Sequence, residues 1–373
     1  MTFRLGFLTH VQGNGPLAET YRRAQELFVV ADELGFDVGW VAQHHIPLHG
    51  GGLSSPWPFL AHAAARTKRI RLSTAITILP LENPVRVAED VAVVNTLSGG
   101  RVEIGIGSGS GPVEYAALGA DFALRRETTT SKFDVLRRAL QNEEVGTPGF
   151  TVQPPLTDDF TDRVWQAVFS GTGARYAAEA GANLLLNRAT YGYTENTDVI
   201  QRAWADEFLA AWNQPRTPRI GLSRFVFPAA DRRTALAQIE DGVQRAARNF
   251  VDRGTFPAGQ SLDEYLRRFH AFYGHPDEIV AAFQQEKVLP VATDLITQFN
   301  PGVPDFDAAV RALELIATEV APALGWKPAS SLATASASAT APASATAPAS
   351  ATAPASATVS ASTTASPSTF TAA

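Results

Sequence analysis

The sequence contains no cysteine and a single methionine among 373 residues. Without thiols there is no disulfide framework, thiolate zinc site, iron–sulfur cluster or cysteine nucleophile. No run of 18 or more apolar residues occurs, so no transmembrane helix is expected. Met1-Thr2-Phe3-Arg4-Leu5-Gly6 leads straight into a strand pattern, without the basic start and apolar stretch of a signal peptide, and a cytoplasmic enzyme is expected. Excess positive charge is missing too: 31 Lys and Arg stand against 37 Asp and Glu, a formal charge of −6. With no basic stripe, this balance argues against nucleic-acid binding. Gly-x-Ser-x-Gly, Asp-x-Asp-x-Asp and His-Glu-x-x-His are absent, so hydrolase and calcium-loop chemistries gain no support.

What is present divides in two. Residues 328–373 carry no charge, consist almost wholly of Ala, Ser, Thr and Pro, and repeat APASAT three times from Ala341, Ala347 and Ala353. Such a segment has too few large apolar side chains to offset the entropy of ordering, and a low-complexity disordered tail is expected. Residues 1–327 alternate apolar, β-branched runs with amphipathic segments. Strands are expected at 3–8, 38–42, 70–79, 102–106, 164–170, 182–187, 220–227 and 291–299, each followed by helical periodicity. Asn83-Pro84 and His275-Pro276 read as an N-cap with Pro at the first helical position, and Gly35 and Gly181 as helix ends. Eight strand–helix units match a (β/α)8 TIM barrel better than an open doubly wound sheet. Residues 252–274 are too long for a simple connection and are expected to form an inserted loop or lid.

In such a barrel, function belongs to the loops at the C-terminal strand ends. Trp40-Val41-Ala42-Gln43-His44-His45 closes the second strand, and imidazoles there can donate to a developing anion or move protons near neutral pH. The same pair can equally bond loop carbonyls. A metal site is the weaker reading, because His44, His45 and His49 lack an evident carboxylate companion. Gly105-Ile106-Gly107-Ser108-Gly109-Ser110-Gly111 misses the dinucleotide spacing and lacks Gly-Lys-Ser/Thr, leaving a turn that lets a flat ligand approach backbone. Phe169-Ser170-Gly171-Thr172-Gly173 opens a helix, where free N–H groups suit a phosphate, or where Ser170 or Thr172 acts as an ordinary cap. Arg125 and Arg126 could face that anion. Small residues in Ser73-Thr74-Ala75-Ile76-Thr77-Ile78-Leu79-Pro80 leave room for a planar ring, or simply pack. Trp57, Phe59, Phe269, Phe272 and Tyr273 fit a hydrophobic pocket or the core.

Several segments in register resemble the bacterial luciferase-like flavin-dependent monooxygenase superfamily, from Arg4 to about Trp326. They are Glu33 to His45, Ala65 to Thr74, Leu79 to Asp90, Leu97 to Gly105 and Gln298-Phe299-Asn300-Pro301-Gly302. The resemblance implies a homodimeric barrel that binds FMN, takes FMNH2 from a separate flavin reductase, and uses O2 to oxidise a small organic substrate through a C4a-peroxyflavin. It implies that His44 is catalytic and His45 supports it, and that a non-proline cis bond joins Ala75 and Ile76 beneath the flavin. It also places Gly107 and Ser108 beside the ring and ribityl chain, and Ser170, Gly171, Thr172, Gly173 and Arg126 at the phosphate. Three positions depart from the family: Gln43 where many relatives have Glu, Ser108 where luciferase has Arg, and Gly107 where it has Cys. With no large mobile insertion evident, light emission is not expected. Two alternatives stand beside this reading: a coenzyme F420-dependent oxidoreductase and a non-catalytic flavin-binding protein.

Overall fold

Strands buried on both faces read as near-continuous apolar runs, and those runs become a parallel sheet here. The computed structural model describes residues 2–46, 52–156, 160–193 and 195–328. The expected tail from residue 329 onward and His49 lie outside the described residues. The strands are β1 (Arg4–Thr9), β2 (Val38–Val41), β3 (Arg71–Thr74), β4 (Thr77–Ile78), β5 (Ile104–Gly107), β6 (Val164–Val168), β7 (Asn183–Leu186), β8 (Ile220–Pro228), β9 (Ala271–Gly274) and β10 (Asp294–Gln298). Helices α1 (Leu17–Leu34), α2 (Pro56–Arg66), α3 (Pro84–Leu97), α4 (Pro112–Ala117), α5 (Arg125–Leu140) and α6 (Gly171–Glu179) accompany the first half. The second half carries α7 (Thr197–Ala211), α8 (Arg232–Asp252), α9 (Leu262–Arg268), α10 (Pro276–Phe283), α11 (Phe306–Leu315) and the short α12 (Ala321–Ala323).

The pairing order is β3-β2-β1-β10-β8-β7-β6-β5-β4, all parallel. β3 and β4 form one stave, interrupted where the Ala75–Ile76 peptide is cis. Leu72 bridges Val102 and Thr77 pairs with Ile106, so both halves meet the β5 stave and the sheet becomes a nearly closed eight-stave barrel. Across the interruption the Thr74 hydroxyl replaces ladder bonds, donating to the Gly105 carbonyl at 2.8 Å and accepting from the Gly105 N–H at 3.1 Å. The helix punctuation acts as the sequence implies. The Asn83 side chain accepts from the Val85 and Arg86 N–H groups, and Gly35 ends α1 at φ 95°.

Residues 252–274 are not a simple loop. They contain α9, opened by a Ser261–Glu264 capping box, and β9, which pairs with residues 225–228 at the far end of β8. Nine residues make β8 longer than its neighbour β10, and the overhang leaves an edge that β9 covers. A four-residue strand is too short to announce itself by pattern.

Trp40 and Trp165, edge to face at 5.5 Å, fill the barrel axis with Leu8, Val38, Leu185 and Ile296. Below them, at the N-terminal strand ends, the buried Glu103 meets Arg4 at 2.9 Å, Arg71 at 2.7 Å, Arg219 at 3.6 Å and the Trp165 indole N–H at 2.7 Å. Stave closure itself depends on Gly105: a Cβ there would lie 2.2 Å from the Thr74 carbonyl oxygen, which is backbone and cannot swing away. Gly105→Ala is therefore expected to destabilise by about 1–3 kcal/mol. A urea-unfolding midpoint equal to that of the parent chain would refute this close approach.

Candidate active site

A cavity of about 520 Å³ opens at the C-terminal strand ends. Leu8, Leu185 and Ile296, the top of the axial core, lie at its base with Ala75, Ile76, Gly107 and Ala167. These side chains are small or branched, and Gly107 has no room for more: a Cβ would come 2.6 Å from Ile76 Cδ1. The wall toward β2 carries Ala42, Gln43 and His44, and one face of α8 closes the opposite side through Gly242, Ala246, Asn249 and Phe250.

His44, at the exit of β2, sits in a chain of polar groups drawn from four other elements. Its Nε2 is 3.2 Å from His10 Nδ1, with the rings stacked at 5.4 Å. His10 Nε2 is 3.2 Å from Gln298 Oε1, and the Gln298 amide N–H donates to Ser223 Oγ at 2.6 Å. A carboxamide oxygen only accepts, so in this orientation the His10 Nε2–H donates to Gln298. On the other side of His44, Nδ1 is 4.0 Å from Glu114 Oε1. The same oxygen accepts from the His45 N–H at 2.9 Å. This is what the glycine-rich turn accomplishes. Glu114 tucks back against Gly111, where a Cβ would lie 2.6 Å from its Oε2, and so reaches the histidine segment.

His45 faces away from the cavity, with Nε2 3.2 Å from the Gln43 amide nitrogen. The two Gln43 amide N–H groups donate to Glu82 Oε1 at 2.6 Å and to the Ser54 carbonyl at 3.0 Å, while its oxygen accepts from the Ile78 N–H at 2.7 Å. Gln43 is thus explained locally: a glutamate here would set two carboxylates against each other, whereas the amide donates to Glu82 and ties β2 to the stave beyond the cis bond.

The phosphate-turn residues stand apart. Ser170, Gly171, Thr172 and Gly173 open α6 but do not line the cavity, although their neighbour Phe169 does. Ser170 Oγ accepts from the Gly173 N–H at 3.1 Å, an ordinary cap. Glu207 of α7, 3.4 Å from Arg175, presses its carboxylate against Gly171, 2.2 Å from where a Cβ would stand. Arg126 is exposed on α5, one turn before Thr130, which meets Tyr176 of α6. Ser108 offers its carbonyl to the Tyr115 hydroxyl at 2.6 Å. Trp57, Phe59, Phe269, Phe272 and Tyr273 pack in the core and do not line the cavity. His10, Glu114 and Gln298 are site residues that no sequence motif marks, except that Gln298 falls in the resemblance segment.

A model of the luciferase-like monooxygenase family matches residues 1–293. The chain belongs to this family. It is 31% identical over 337 residues to 4-hydroxyprotoasukamycin monooxygenase of Streptomyces nodosus subsp. asukaensis, covering 84% of this chain and 89% of the relative. Limonene 1,2-monooxygenase of Rhodococcus erythropolis is 29% identical, with 80% of each chain covered. The crystal structure of monooxygenase RslO1 from Streptomyces bottropensis superposes with a TM-score of 0.72 at 25% identity, covering 86% of this chain and 99% of the other. Two more distant structures share the fold. One is the oxygenating constituent of 3,6-diketocamphane monooxygenase from Pseudomonas putida, in complex with FMN (TM-score 0.67, 19% identity, 86% and 98% covered). The other is the coenzyme F420-dependent tetrahydromethanopterin reductase of Methanopyrus kandleri (TM-score 0.63, 17% identity, 86% and 99% covered). As a luciferase-like monooxygenase the chain is an oxidoreductase, and no helix among the described residues is long and apolar enough to cross a membrane.

Proposed function

We propose that this luciferase-like monooxygenase binds reduced FMN at the barrel mouth and uses O2 to oxidise a small, largely hydrophobic organic substrate. The observation that carries the reading is the apolar base of Ala75, Ile76, Gly107 and Ala167 with His44 at its edge, a cradle that a Cβ on Gly107 would fill. Such a base suits a flat tricyclic ring. Ser170, Gly171, Thr172, Gly173 and Arg126 are the candidates for the cofactor phosphate, at a turn where the Glu207 carboxylate now stands against Gly171. Bound there, reduced FMN supplies the electron pair that activates O2.

The chain's own part is to exclude water and to manage protons. The apolar base and the α8 face close the cavity around the reacting centre. His44, held between His10 and Glu114, donates or accepts at the edge of that space, and His45 and Gln43 hold the turn beneath it. A flavin reductase as the source of reduced cofactor, and a homodimeric assembly, belong to the same proposal.

The fold neighbour that uses coenzyme F420 makes hydride transfer without O2 the second reading. Titration of the purified chain with FMN and with F420, each oxidised and reduced, separates the two. Tighter binding of reduced FMN than of either F420 form is expected, and preferential F420 binding overturns the proposal.

A further inference from the structure

The side of the cavity facing His44 is basic. β7 stands four staves from β2 in the ring, diametrically across the barrel, and the chain leaving it places Arg188 and Tyr191 in the cavity wall. Arg245 and Arg253 of the α8 segment line the same side, Arg245 donating to Asn14 Oδ1 at 3.0 Å. Glu114 is the single carboxylate among the described lining residues, and it is engaged across the cavity with the His45 N–H. Arg188 forms no ion pair among the described residues, and its Nε is buried without a hydrogen-bond partner. The Tyr191 hydroxyl, also buried, meets the Arg188 side chain, while its ring is wedged against Phe250 at 4.7 Å and Phe256 at 5.7 Å. A buried Nε–H without an acceptor is costly, and a guanidinium fork beside a phenol matches the oxygens of an oxyanion.

We propose that Arg188 and Tyr191 form an anion subsite for the substrate, which therefore pairs an apolar body with a carboxylate or an acidic phenol or enol. This rests on the monooxygenase reading for its meaning but not for its test. An oxyanion could also come from the cofactor phosphate. The turn at Ser170 lies outside the cavity that Arg188 lines, and on this ground the subsite is assigned to the substrate.

The probe is 2-naphthoate, with neutral 2-naphthamide as its control, titrated into the full chain with and without FMN. Naphthoate is expected to bind the parent chain at least about tenfold more tightly than naphthamide. Arg188→Gln should weaken naphthoate by roughly ten- to a hundredfold and leave naphthamide and FMN unchanged. Tyr191→Phe, which keeps the ring packing, should show the same selectivity with a smaller loss. The proposal is overturned if the parent chain does not distinguish the two probes, or if Arg188→Gln leaves naphthoate unaffected. It is also overturned if FMN and inorganic phosphate, rather than naphthoate, lose affinity, which would assign the arginine to the cofactor. Should the chain fail to bind FMN yet still distinguish the probes, the cofactor reading falls and the subsite stands.

Discussion

Replacing His44 with alanine is expected to leave FMN affinity nearly unchanged while substrate oxidation falls by roughly 10²–10⁴-fold and reducing equivalents emerge as hydrogen peroxide. The geometry separates the two effects. His44 contributes to the cavity wall on the β2 side, whereas the base beneath a flat ring is built by Ala75, Ile76, Gly107 and Ala167. Losing one imidazole removes a proton donor at the edge of that base and admits water in its place. His10 lines the cavity beside His44, 3.2 Å away, and is expected to act as a positioning residue for it. His10→Phe keeps an aromatic ring there but loses both nitrogens, and a weaker version of the same uncoupling is expected. The readout is the ratio of peroxide released to product formed, alongside FMN binding by fluorescence. Coupled turnover at the parent rate in His44→Ala would falsify the assignment. Loss of FMN affinity in either variant would instead mean that the histidines support the cofactor.

The barrel is legible in the sequence because parallel strands buried on both faces leave unbroken runs such as residues 38–41, and because helix ends leave local chemistry such as Asn83-Pro84. β9 is not legible: its four residues have no periodicity of their own, and its partner is an overhang that exists only once β8 outruns β10. The short α4 after the glycine-rich turn is hidden for the same reason.

The site divides along a similar line. His44 and His45 stand out as a pair at a strand exit, but His10, one residue past β1, carries the same positional signal without any motif around it. Glu114 and Arg188 become site residues only because ring closure brings separate loops to one mouth. Ser170 shows why motif and role separate: the same turn can cap a helix or hold a phosphate, and its hydroxyl caps α6 here.

At the opposite end of the barrel, Glu103→Gln is expected to cost about 3–5 kcal/mol, the usual penalty for breaking a buried ion pair and leaving its partners uncompensated. Glu103 serves Arg4, Arg71 and Arg219 at once, and Asp294 meets two of these, Arg4 and Arg219, each at 2.8 Å. Burial alone would push the Glu103 carboxyl up, but Arg4, Arg219 and Arg71, with the Trp165 indole, outweigh it and hold the group at about 2 against an ordinary 4.5. Glu286 reaches about 2 in the same way, burial being outweighed by Arg224 and His270. A carboxyl depressed in the folded state contributes stability that is complete above its unfolded value and is lost as pH falls through the folded one. The parent chain should therefore weaken between about pH 4.5 and pH 2. Glu103→Gln has no proton to take up at this position, so its deficit relative to the parent should be largest at neutral pH and shrink as the parent's Glu103 protonates. The variant keeps the acid sensitivity of Glu286, to which the exposed Glu19, Asp231 and Glu264, also held low by hydrogen bonds, add. Urea unfolding of both chains from pH 7 to pH 2 measures this directly. Parallel stability curves, with a deficit that does not change with pH, would mean that glutamine costs the barrel packing rather than charge.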